Sequence, residues 1–190
     1  MAQHRTGRPP DQDAGRRLLE AALRLVRAEG YRAVSISAII REAGVSRQTL
    51  YNRWTTKAEL VLEAFLGMAE AEVPDPDPTA AGGYEGALAT FLEQVFDHIG
   101  RDGDTLRSLI AQAQEDPAFR ESFRQRFVLP REEVVTRLLL EAQRNGALPT
   151  GRDLAMLSSF AHGAFWYRML TGLPLGPDEA RVIAAAIFAR

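Results

Sequence analysis

The 190-residue chain contains no cysteine and a single lysine, Lys57. Without thiols, disulfide frameworks, thiolate metal sites and cysteine nucleophiles are excluded. Only three histidines are present: His4, His98 and His162. Asp97 and His98 are sequence neighbours and point in different directions on a helix, so they make a poor catalytic couple. Ser158 stands one turn before His162 with nothing else to suggest nucleophilic chemistry. Glycine-rich phosphate loops, HExxH and GxSxG are all missing. Neither an enzyme nor a metal or cofactor site is expected. Long apolar runs are missing as well, and none approaches the ~20 residues needed to span a bilayer. The opening MAQHRTGRPPDQD lacks the apolar segment of a secretory signal, so the expected location is the cytoplasm.

What is present is helix. Some 46% of residues are hydrophobic, which suits a globular fold. Glycine and proline fall between periodic segments, and no alternating run is bounded by hairpin turns. The expected fold class is all-α, with about ten helices. The periodicity predicts helices over 12–29, 35–43, 46–53 and 57–71. A break follows at 73–83, where three prolines and two glycines cannot continue a helix. Beyond it come helices over 84–100 (stripe Leu88, Phe91, Leu92, Val95, Ile99), 105–114 with Asp104 as cap, and one opened by Asp116-Pro117. Another begins at Pro130 and closes at Asn145-Gly146. Thr150 and Asp153 resemble a capping box opening a helix to about 171, and Pro177 starts the last one. The expected organisation is a small N-terminal domain at 1–56, a connecting helix at 57–72, a linker at 73–83 and a larger helical domain at 84–190. The net charge of −2 divides unevenly: residues 1–58 carry +6 and residues 59–190 carry −8. A basic module on an acidic body attracts phosphate at one end only.

Residues 35–57, SISAIIREAGVSRQTLYNRWTTK, hold the densest information. Ile36, Ile39 and Ile40 give one helix a buried edge. Ala43-Gly44-Val45 makes a tight turn, and Ser46 can cap the second helix. That helix presents Arg47, Gln48, Thr49, Tyr51, Asn52 and Arg53 outward, a face suited to a major groove and not to a core. Arg47 matches a guanine edge, and Gln48 and Asn52 an adenine edge. Ser46, Thr49, Tyr51 and Arg53 have donors for phosphates, and Lys57, at the start of the next helix, adds charge. Trp54 is read as core. Arg5 and Arg8, ahead of the first helix, are either a minor-groove arm or a plain tail.

Two further features concern the larger domain. From Ala180 to Ala189 only Arg181 is not apolar, and a helix apolar all round is buried on every side. A second copy of the chain would bury it, with Ala161, Gly163 and Ala164 on the preceding helix permitting close approach; the alternative is a helix wrapped by its own domain. The expected homodimer interface is Ala161, Ala164, Phe165, Arg168, Ile183, Ala184, Ile187 and Phe188, within residues 153–190. A ligand pocket is expected from Phe91, Gln94 and His98 along one helix strip and Ser159, His162 and Trp166 along another. Phe119, Phe123, Phe127 and Met156 supply apolar wall. Aromatic residues at helical spacing also suit a core. Few basic groups lie on these strips, which favours a hydrophobic or aromatic ligand over a polyanion.

AGVSRQTLYNRWTTKAEL resembles the signature of TetR-family transcriptional regulators: Gly-Val-Ser, Thr-Leu-Tyr, an aromatic residue, and Lys before Glu-Leu. The likeness covers about residues 14–66, and the remainder is similar in layout only. The resemblance implies a dimeric repressor whose larger domain binds a small-molecule effector and thereby loosens its grip on a roughly palindromic double-stranded DNA operator. It assigns DNA contacts to Ser35, Ser37, Thr49, Tyr51, Arg53 and Lys57, Ser35 among the phosphate contacts and Ser37 among the base readers. Ser35 and Ser37 stand where the family has threonine, and Trp54 where it usually has phenylalanine. The alternatives are a constitutive or activating DNA-binding regulator, or a helical small-molecule carrier or interaction module.

Overall fold

The computed structural model describes residues 12–189, apart from the side chains of residues 12 and 68–72. Among the described residues there are nine α-helices, one π turn and no strand. The chain divides into two compact units, Met1–Phe65 and Leu66–Arg190. The division falls inside the helix Lys57–Glu72.

The first unit holds α1 (Gln12–Glu29), α2 (Ile36–Ala43), α3 (Arg47–Tyr51) and the start of α4 (Lys57–Glu72). α1 is strongly amphipathic and buries Ala14, Leu18, Ala22 and Val26 at i, i+4 spacing. Ser35 caps α2 by accepting from the Ala38 N–H at 3.1 Å. Gly44 ends α2 with φ +63°, a left-handed conformation that any side chain would strain. Ser46 then caps α3, accepting from the Thr49 N–H at 3.1 Å. α3 spans only five residues, shorter than the expected 46–53. α4 opens on a capping box: Thr56 Oγ1 accepts from the Glu59 N–H, and Glu59 Oε2 accepts from the Thr55 and Thr56 N–H groups.

The second unit contains α5 (Tyr84–Glu115), α6 (Pro117–Phe123), a π turn (Arg124–Val128), α7 (Leu129–Arg144), α8 (Leu154–Thr171) and α9 (Pro177–Phe188). α5 is a single 32-residue helix, where two were expected. Gly100 and Gly103 lie inside it, and Asp104 does not cap a new helix: its side chain pairs with Arg107 one turn on. Burial of Ile99, Asp102, Thr105 and Leu106 on either side of the glycines holds the helix through them. Asp116 caps α6, and Pro117 takes its first position. Before Pro130 there is no break. The π turn carries the backbone from α6 into α7, and Pro130 sits in the first turn of α7, where its missing N–H is tolerated. Asp153, not Thr150, caps α8, accepting from the Met156 N–H at 3.0 Å. Gly172 closes α8 at φ +72°.

α9 is not enclosed on all sides. Ala180, Ile183, Ala184 and Ile187 pack inward, whereas Val182 is 68% exposed. The apolar composition of α9 therefore has an inner and an outer half.

Candidate DNA-reading helix and ligand cavity

The first unit leaves Arg47, Gln48, Tyr51 and Asn52 exposed around α3 while Leu50 anchors the helix from beneath. Ser46 and Thr49 hydroxyls lie 2.8 Å apart. Arg47 Nη2 donates to Ser37 Oγ at 3.1 Å, tying one expected reader on α3 to another on α2. Ser35 and Ser37 are both exposed, so all the serines and readers assigned to DNA reach solvent. Trp54 is buried as expected, its Nε1 donating to Glu63 Oε2 at 3.1 Å.

Two of the expected phosphate contacts also make contacts inside the unit. Lys57 Nζ donates to the Tyr31 carbonyl at 2.7 Å and the Val34 carbonyl at 2.9 Å, and lies 4.1 Å from the Tyr31 ring centroid. Two of its three N–H donors are thus spent on the turn between α1 and α2. Its partial burial lowers its pKa. Lys57 is thus a clip within this unit. Arg53 folds back, its guanidinium lying over Gly15 of α1 and 5.7 Å from the Trp54 ring. A β-carbon at position 15 would collide with it, so the glycine makes room. Two residues not identified from the sequence complete the frame: Arg17 Nε donates to the Ala43 carbonyl at the end of α2, and Arg24 pairs with Glu42. Arg5 and Arg8 lie outside the described residues.

In the second unit a cavity of about 40 Å³ is lined by Phe91, Leu92, Val95 and Ile99 of α5, Phe127 and Val128 of the π turn, Arg131 of α7, and His162, Phe165 and Trp166 of α8. Of the expected lining, Phe91, Phe127, His162 and Trp166 are there. Gln94 and His98 are not: they sit one residue short of Val95 and Ile99, which rotates them about 100° off the apolar stripe. Phe119 and Phe123 are buried in the core. They begin a ladder of six rings, Phe119–Phe123–Phe127–Trp166–Phe165–Phe96, with centroid separations of 4.7–6.3 Å. Met156 and Ser159 are exposed on α8. Arg131, which periodicity did not single out, reaches the cavity because it follows the π turn. His162 Nδ1 donates to the Ser158 carbonyl at 2.8 Å, and its pKa is lowered, first by burial.

Most of the expected dimer contacts also fall inside the unit. Ala161, Phe165, Ile183, Ala184 and Ile187 are buried within it, and Ala164 and Phe188 are half-buried. Arg168 is spent at the α8–α9 turn, donating to the Pro174 carbonyl at 2.8 Å and pairing with Glu179 at 3.1 Å. The uncovered face of α8 is Met156, Phe160, Gly163, Tyr167 and Leu170, at heptad-like spacing, with Phe160 59% and Tyr167 65% exposed. No helix among the described residues is long and apolar enough to cross a membrane, and none of their acidic or histidine side chains form a metal-holding group.

A helix-turn-helix with an exposed polar second helix, joined to a separate helical unit, defines a DNA-binding regulator. Comparison with known proteins gives the family. Residues 18–64 match the model described as bacterial regulatory proteins, tetR family, and residues 78–187 match the tetracyclin repressor-like C-terminal domain. The HTH-type transcriptional regulator YdeS of Bacillus subtilis (strain 168) is 30% identical over 187 residues, 98% of this chain and 93% of its own. Among solved structures, the TetR family transcription regulator SCO0332 superposes with a TM-score of 0.77 at 24% identity, over 93% of this chain and 97% of that one. FadR of Thermus thermophilus, a repressor crystallised with lauroyl-CoA, superposes with a TM-score of 0.71 at 18% identity, over 91% and 92%. The chain belongs to the TetR family: it is a DNA-binding transcriptional regulator, and its family acts by binding and not by catalysis.

Proposed function

We propose that this regulator is a homodimeric repressor of a palindromic operator, released when a small molecule enters the cavity of the second unit. The single observation that carries the DNA half is the exposure of Arg47, Gln48 and Asn52 around an anchored α3. These three are the base readers, with Ser37 holding Arg47 in place. Ser35, Ser46, Thr49 and Tyr51 supply hydroxyls to the flanking phosphates. Two copies related by a two-fold axis set their α3 helices in successive major grooves, hence the palindrome.

The dimer forms through the uncovered face of α8, Met156, Phe160, Tyr167 and Leu170, with Gly163 allowing a partner helix close. An apolar strip of this length on a monomer favours burial against another surface. Release is supported by the aromatic cavity and by the covalent continuity of α4 between the units; a ligand acts only through different affinities for the DNA-bound and free arrangements. In FadR of T. thermophilus the acyl ligand is bound by a protein of the same fold.

Selection of bound fragments from random DNA tests the reading. A two-fold symmetric site is expected, and Arg47→Ala is expected to cost about 1–3 kcal/mol at one base position per half-site. Binding that is only salt-sensitive, with no preferred sequence, refutes the operator.

A further inference from the structure

Among the described side chains that line the cavity of the second unit, one can accept a hydrogen bond. The phenylalanines and aliphatic residues have no polar side-chain atom, and Arg131 and Trp166 carry donors only; the remaining residue is His162. Its tautomer is fixed by its surroundings. Nδ1 lies 2.8 Å from the Ser158 carbonyl, which can only accept, so Nδ1 carries the proton. Burial, the largest influence, lowers the pKa of the ring below 6.5 against the opposing pull of the Ser158 carbonyl and Glu132. At pH 7.5 the ring is neutral and Nε2 keeps its lone pair.

The acceptor is also held in place. Ser158, whose carbonyl anchors the ring, donates its own hydroxyl to the Glu132 carbonyl of α7 at 3.3 Å. His162 is thus tied through α8 to α7 before any ligand arrives, and such preorganisation lowers the cost of binding. An acceptor at an apolar cavity costs free energy until a donor reaches it. The walls set the shape of what brings that donor. The Trp166 ring lies 6.1 Å from Phe127 at 56° and 4.7 Å from Phe165 at 52°. The cavity, about 40 Å³, is smaller than an organic ligand, so the wall must part on entry. A planar ring demands the least parting, and Trp166, only half-buried, is placed to yield.

We propose that this cavity takes flat, uncharged hydroxyarenes, the ring among Phe127, Phe165 and Trp166 and the hydroxyl donating to His162 Nε2; the proposal rests on reading the cavity as the effector site. Equilibrium dialysis of the full chain at pH 7.5 against 2-naphthol, 2-methoxynaphthalene and 2-naphthoate tests it. The first carries a hydroxyl donor, the second the same oxygen without its hydrogen, and the third an anion. The naphthol is expected to bind at least fivefold tighter than either of the others. His162→Phe, which keeps a flat ring and removes the acceptor, should erase the advantage over the ether. His162→Gln, whose amide oxygen accepts, should retain part of it. Should the Phe variant fail to fold by circular dichroism, the wild-type ranking and the Gln variant decide. An ether that binds as well as the naphthol, an advantage that survives His162→Phe, naphthoate as the tightest ligand, or no binding of any probe up to its solubility overturns the proposal. A gel shift separates this from the effector reading. Naphthol-selective binding that leaves the DNA complex intact upholds the ligand class and sinks the effector role, whereas release by naphthol and ether alike sinks the ligand class alone.

Discussion

His162 shows how one residue can report on the cavity. Its folded pKa is lowered from 6.5, chiefly by burial, so between pH 6.5 and that lowered value the unfolded chain binds more protons than the folded one. The stability it contributes is therefore complete above pH 6.5 and is lost as the pH falls through this window. Thermal melts between pH 5 and 7.5 should show a steeper fall of Tm on acidification in wild type than in His162→Gln; parallel profiles would refute a buried neutral ring. The neighbouring residues show why residue-level reading succeeds unevenly. His162 and Trp166 are on the cavity wall as the helical spacing predicts, but Gln94 and His98 are not. Polar residues flanking an apolar stripe look like pocket candidates, yet one position of rotation separates lining from backing.

At the scale of elements, the α1–α2 turn depends on a lysine that the motif assigns to DNA. Lys57→Met should destabilise the first unit by about 1–3 kcal/mol, since it removes two charge-assisted bonds to backbone carbonyls. The salt dependence of DNA binding should be unchanged in that variant. Loss of about 0.9 from its log–log slope would instead restore Lys57 as a phosphate contact. Element boundaries were legible where chemistry is local: Ser46 and Asp116 cap, and Gly44 and Gly172 terminate. They were illegible where packing overrides it. Gly100, Gly103 and Asp104 signal an interruption, but the buried side chains around them keep α5 helical. The π turn has no local signature at all, although it brings Phe127, Val128 and Arg131 to the cavity.

For the whole molecule, the face left open on α8 matters more than the one filled. Tyr167→Glu with Phe160→Glu should convert a dimer to a monomer in light scattering at micromolar concentration. It should leave the helical content intact and weaken operator binding by at least tenfold, because one half-site alone carries fewer contacts. A wild-type chain already monomeric under these conditions refutes the dimer. Ala161, Phe165, Ile183 and Ala184 would not serve as targets for that test, since their own unit buries them.

Helical class, several of the caps, the helix-turn-helix and the exposed polar face of its second helix are written in the chain, because each depends on contacts within a few residues or on a motif of fixed spacing. Which face of an apolar helix turns inward is not. α8 and α9 are apolar on more than one side, so periodicity gives them no direction, and only packing against the rest of the unit assigns inner and outer faces. The same holds for Lys57 and Arg131: their charges are evident in the sequence, but burial and the carbonyls and rings around them decide what each charge is for.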